Sequence, residues 1–89
     1  LMLQTKCNHD LLTALLGKDG VRARIAAAPP KLYFLTGSVG TARILEHRLV
    51  ILLDNGRWIR TSELGRMYCW NGNIIICTAH STYELQPVS

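Results

Sequence analysis

At 89 residues the chain has room for one hydrophobic core, since domains this small bury only about two-thirds of the surface their unfolded chains expose. Apolar residues make up 48% of it and charged residues 18%, a balance that excludes a disordered segment, and its longest apolar run, Leu49–Leu53, is far short of the roughly 20 residues of a membrane helix. Ten Lys and Arg against six Asp and Glu give a net charge of +4, and seven of the ten cations are Arg, which weakly favours acidic partners and equally serves solubility and protein interfaces.

The chain opens on Leu1 with Met2 behind it, and its first few residues carry little structural signal. Leu11, Leu12, Leu15 and Leu16 lie on one stripe of a helix expected over residues 9–17, with Asn8 or Asp10 as N-cap and Gly17 placed to end it. Leu3 and Cys7 would extend that stripe backwards at the cost of the cap. After the Lys18-Asp19-Gly20 turn, Val21–Ala28 reads either as a short helix capped by Asp19 or as a strand with Arg22 and Arg24 on its polar face. Three consecutive alanines, residues 26–28, tip this reading toward helix. Pro29-Pro30 then stops any helix and forces an extended entry into the next segment.

From Lys31 onward, β-branched and aromatic residues broken by Gly and Asn predict consecutive hairpins. Leu32–Thr36 is a candidate strand, Gly37-Ser38-Val39-Gly40 a turn, and Ile44–Leu53 one long strand whose second half is apolar on both faces. Asn55-Gly56 is the sequence signal of a two-residue type I′ loop, which would set Leu53 opposite Trp58 and Ile51 opposite Arg60, gathering these four on one face. Asn71-Gly72 repeats the signal and sets Cys69 opposite Ile74, Tyr68 opposite Ile75, Met67 opposite Ile76 and Arg66 opposite Cys77. A last strand near Thr82–Leu85 comes after a turn at His80-Ser81.

The expected fold is therefore α+β: N-terminal helical segments packed on a strongly bent antiparallel sheet, or small partly closed barrel, of five or six short strands. It forms a single domain over 1–89, mainly helical over 1–28 and hairpin-rich over 31–86. A sheet this small leaves an edge for self-association unless the barrel closes, so a homodimer is one expectation.

Cys7 with His9 and Cys77 with His80 suggest a metal site, but zinc needs four converging ligands and neither pair has the spacing of a Cys-Cys ligand pair. The register puts Cys69 and Cys77 on opposite faces, which argues against a disulfide between them, and the odd count of three cysteines fits reduced thiols acting as small hydrophobes. No Cys or Ser stands in a nucleophile signature beside a His, and His47, on the expected long strand, reads as a structural histidine. Gly37-Ser38-Val39-Gly40-Thr41 lacks the Lys-Ser/Thr ending of a phosphate loop. No catalytic residue, cofactor or metal is assigned.

Basic residues interleaved with aromatics are the theme that recurs: Arg57-Trp58-Ile59-Arg60 and Arg66-Met67-Tyr68-Cys69-Trp70, with Arg43 and Arg48 before them. Such a pattern suits two classes of partner. Trp, Tyr and Arg anchor protein interfaces, and cationic grooves with exposed rings bind single-stranded nucleic acid. The preferred expectation is a small non-enzymatic protein-binding module in the cytoplasm, with no membrane contact, acting through Arg57, Trp58, Arg60, Arg66, Tyr68 and Trp70. Its partner would be a larger protein or complex that it inhibits or regulates. By size and composition this suits the short binding proteins of phages and plasmids. The alternative is a nucleic-acid-binding domain using the same face, placed second because the chain has only three Lys and no Gly-aromatic signature.

Overall fold

The computed structural model describes residues 9–88, with side chains described from residue 11 onward. A helix, α1 (His9–Lys18), is followed by β1 (Val21–Ala27), a 3-10 segment (Pro30–Leu35), β2 (Val39–Leu45), β3 (Arg48–Leu53), β4 (Trp58–Trp70), β5 (Asn73–Thr78) and β6 (Thr82–Pro87). Each strand pairs antiparallel with the next, and β6 returns to pair with β1, so the six strands close in a ring in chain order. Register shifts interrupt the β1–β6, β3–β4 and β4–β5 ladders, so the ring is not a regular barrel. Closure removes the free edge on which sheet-to-sheet self-association would rest.

Alternation fills the interior. Val21, Ala23 and Ile25 of β1 face inward while Arg22 and Arg24 are exposed, and Leu49, Ile51 and Leu53 of β3 do the same. Leu12 and Leu16 of α1, both fully buried, join this cluster where the helix packs on β2 and β4. Leu11, at 38% exposure, lies off the buried stripe. The helix runs one residue past Gly17, and the chain turns at Gly20, whose N–H donates to the Leu15 carbonyl (3.2 Å). The N-cap at Asn8 or Asp10 and the extension through Leu3 and Cys7 rest on residues or side chains outside those described.

Five local expectations are corrected, the first being the turn at 37–40, whose Val39 and Gly40 already belong to β2 and pair with Arg24 and Ala23. Residues 21–27 form a strand rather than a helix, because β1 is paired on both sides, to β2 and β6, and two ladders of backbone hydrogen bonds outweigh the helix propensity of its alanines. Leu32–Thr36 is not a strand. The Pro29 carbonyl accepts from Leu32 N–H (2.8 Å) and the Tyr33 carbonyl from Thr36 N–H (3.0 Å), winding the segment into a 3-10 turn that drives Leu35 into the core.

The long strand over 44–53 is instead a hairpin. Leu45 pairs with Arg48 across a two-residue turn in which Glu46 (φ 51°) and His47 (φ 62°) are both left-handed, the conformation of a type I′ loop built without Gly or Asn. His47 is thus an exposed turn residue rather than a strand residue.

The Asn55-Gly56 loop has three residues, not two. Leu53 N–H donates to the Arg57 carbonyl and Gly56 N–H to the Leu53 carbonyl, both at 2.9 Å, and at this loop only Gly56 (φ 90°) is left-handed. Asn55 Oδ1 accepts from the Arg57 N–H (2.8 Å), an Asx contact that favours this loop over the type I′ alternative. The register shifts by one, to Leu52 opposite Trp58, Ile51 opposite Ile59 and Val50 opposite Arg60. A one-residue slip exchanges faces. Trp58 and Arg60 therefore share the outer face with Leu52 and Val50, and Ile51 and Leu53 point into the core. At Asn71-Gly72 the two-residue turn forms, with φ of 51° and 79°, in the expected register.

The 13 residues of β4 would span about 40 Å if straight, at roughly 3.3 Å per residue, yet the longest dimension of the molecule is 31 Å. Two bulges bend it. One lies within 60–63 against β3 and one within 64–66 against β5, so the first half of β4 pairs with β3 and the second half with β5. The bend decides where the functional side chains go.

Candidate functional site

The basic and aromatic residues of β4 all face outward, but the bend distributes them over separate surfaces. Arg66, Tyr68 and Trp70 line one wall of an open groove of about 700 Å³, completed by Ile75 of β5, Thr82 and Glu84 of β6, and Ala27 of β1. Ile75 is opposite Tyr68 on one side and Glu84 on the other, which places it on the floor. It is 6% exposed although it faces away from the interior cluster, so its apolar surface is covered from outside by its neighbours. Trp70 is 61% exposed and stands over this floor with half-exposed Tyr68.

Two polar contacts set the electrostatics of the groove. The Arg66 guanidinium lies 4.9 Å from the Tyr68 ring centroid, a cation–π contact that holds both side chains against the wall. Asn73 Nδ2 donates to Glu84 Oε2 at 2.7 Å and orients the carboxylate on the other side. The groove thus carries an apolar floor, an aromatic wall with one cation stacked on it, and one oriented anion.

Trp58 and Arg60 belong to a different surface. Across the ladders Thr41, Leu52 and Trp58 form one outward row, and Arg43, Val50 and Arg60 form the next. Thr41, Arg43, Leu45, Val50, Leu52 and Trp58 line a shallow depression of about 280 Å³. Arg57 joins neither surface: its guanidinium sits 5.5 Å over the ring of Phe34 from the 3-10 segment. Arg57, Trp58, Arg60, Arg66, Tyr68 and Trp70 therefore do not form the single face expected of them.

Sequence reasoning missed Ile75, Asn73 and Glu84. The Asn71-Gly72 register already set Ile75 opposite Tyr68, so Ile75 was within reach of that argument. Glu84 was not, because its place depends on the pairing of β6 with β5.

At the β1 end of the Trp58 row, opposite Thr41, Arg22 donates two hydrogen bonds to Asp54 in the β3–β4 loop, at 2.6 and 2.8 Å. Those hydrogen bonds hold the Asp54 carboxyl below, and the Arg22 guanidinium above, their ordinary values. Cys69 packs against the core and is disulfide-bonded, so the expectation of reduced thiols fails there, while Cys77 faces outward as a free thiol; lying opposite Ile74 and Arg66, the two are not each other's partners. Cys7 and the His9 side chain lie outside the described part of the chain. Among the described residues no three His, Cys, Asp or Glu side chains converge as metal ligands, and no helix is long and apolar enough to cross a membrane.

No family model, curated protein or solved structure matches the chain, and a functional reading therefore starts from the geometry of these two surfaces.

Proposed function

We propose that the protein is a non-enzymatic protein-binding module, and that the groove between Trp70, Tyr68 and Glu84 is its receptor site. The observation that carries this reading is Ile75, an isoleucine buried on the outer face of the sheet at the foot of two aromatic side chains. An apolar floor with aromatic walls takes up an aliphatic or aromatic anchor side chain, the kind of contact that concentrates binding energy at the centre of an interface. Glu84, with its carboxylate already oriented by Asn73, selects a basic group next to that anchor, and it disfavours phosphate.

Binding to a larger protein or complex in this way would inhibit or regulate it without chemistry, consistent with a site made of rings, methyl groups, one guanidinium and one hydrogen-bonded carboxylate. A peptide library displayed on phage, selected against the protein and counter-selected against a Trp70→Ala variant, tests the proposal. Enrichment of peptides that pair an apolar anchor with Lys or Arg, bind the parent and lose at least about tenfold in affinity to the variant is expected, as for an interface hot spot. Enriched peptides that bind both forms equally, or no enrichment, would sink it.

A further inference from the structure

We infer that the outer face of β2, β3 and the first half of β4 is a second, separate binding surface, and that its ligand is single-stranded nucleic acid. A base would stack on Trp58, with the neighbouring phosphates on Arg43 and Arg60.

The register builds this surface. Arg43 and Arg60 are both exposed and lie opposite one another across Val50, so their backbones are two strand spacings, about 10 Å, apart. Trp58 is 62% exposed, two residues before Arg60 on the same side of β4, with Leu52 beside it. An exposed ring with two arginines in the adjoining row of a nearly apolar sheet is an arrangement that can hold a stacked base and its backbone. Arg24 of β1, also exposed and opposite Val39, extends the positive charge toward the next strand.

Charge complementarity selects this face over the groove. Of the nearest carboxylates, Asp54 is neutralised by Arg22 at the β1 end of the Trp58 row, Glu63 is opposite Arg48 in the row beyond Arg60, and Glu46 is in the β2–β3 turn, so none lies in the row of Arg43 and Arg60. In the groove, by contrast, Glu84 would repel a phosphate and offset the charge of Arg66. The two surfaces are therefore chemically distinct, and a protein partner in one leaves the other open.

The test is fluorescence anisotropy with a labelled twelve-nucleotide oligo(dT) and the full chain, at 50 and 200 mM NaCl. With two to three phosphates neutralised, affinity should fall about 7- to 18-fold between those salt concentrations. The double variant Arg43→Gln/Arg60→Gln should lose most of that salt dependence, and Trp58→Ala should weaken binding by at least about fivefold. Trp70→Ala should bind as the parent does, and circular dichroism should show all variants folded. No saturable binding at 50 mM NaCl would overturn the inference. So would binding that depends on Trp70 and is indifferent to Arg43, Arg60 and Trp58.

Discussion

The Leu49 N–H donates to Thr61 Oγ1 at 3.1 Å, across the point where the β3–β4 ladder loses register. The bulge leaves this buried backbone donor without a ladder partner, and the threonine hydroxyl takes its place while donating in turn to the Ser62 carbonyl at 2.8 Å. Thr61 is only 5% exposed, so water cannot substitute. The bend that separates the two outer surfaces is held by this contact, reinforced by Arg48 Nη1 donating to the Thr61 carbonyl (3.0 Å).

Thr61→Val keeps the shape and strands the Leu49 N–H, so it should cost about 1–3 kcal/mol. Urea unfolding followed by circular dichroism reads this as a lower midpoint at unchanged slope. Thr61→Ser, which keeps the hydroxyl, should lose clearly less; equal losses would mean that the hydrogen bond is not what stabilises the bulge.

The β2–β3 turn places Glu46 and His47 in left-handed conformations that Asn and Gly adopt with little strain. Replacing them together with Asn and Gly should stabilise the protein by about 1–2 kcal/mol. The melting temperature should rise by roughly 4–8 °C for each kcal/mol in a domain of this size. An unchanged or lower melting temperature would show that the native turn stores no such strain.

Gly40 lies opposite Leu53 so closely that a Cβ added to it would stand 2.8 Å from the Leu53 Cα. Gly40→Ala must push two paired backbones apart, and a loss of about 1–3 kcal/mol is expected from overpacking of this kind. Denaturant unfolding checks it, and a neutral outcome would require β2 and β3 to separate without cost.

Asp54 bonded to Arg22 has a carboxyl pKa below its ordinary value, so the pair contributes stability above the unfolded carboxylate pKa and loses it as pH falls through the native pKa. The pair is exposed, and the energetic effect is correspondingly small. Carboxyl titration by NMR should place the Asp54 midpoint below that of a free aspartate, and Arg22→Gln should raise it. A midpoint unmoved by that substitution would assign the shift to another cause.

Some of this molecule was legible along the chain. Leu12 and Leu16 marked the buried side of α1, and Asn71-Gly72 set its hairpin register, because a turn that needs two left-handed residues leaves few alternatives. The hairpin at Glu46-His47 was not legible, since neither residue favours positive φ and only the pairing of β2 with β3 imposes it. At Asn55-Gly56 the same dipeptide that succeeded at 71–72 misled by one residue, because the Asn55 side chain turned back to its own backbone.

Alternation and turn chemistry act over a few residues, and they carried the α+β class, the short antiparallel strands and the recurrence of Arg beside Trp and Tyr, but not the face on which Trp58 and Arg60 lie. The outward orientation of these residues and their division between two surfaces come from strand pairing. Ring closure brings β6 and Glu84 beside Ile75, and the two bulges of β4 aim Trp58 and Trp70 at different surfaces. Those outcomes depend on which strands pair and where a ladder slips, and pairing energy is shared between residues far apart in the chain.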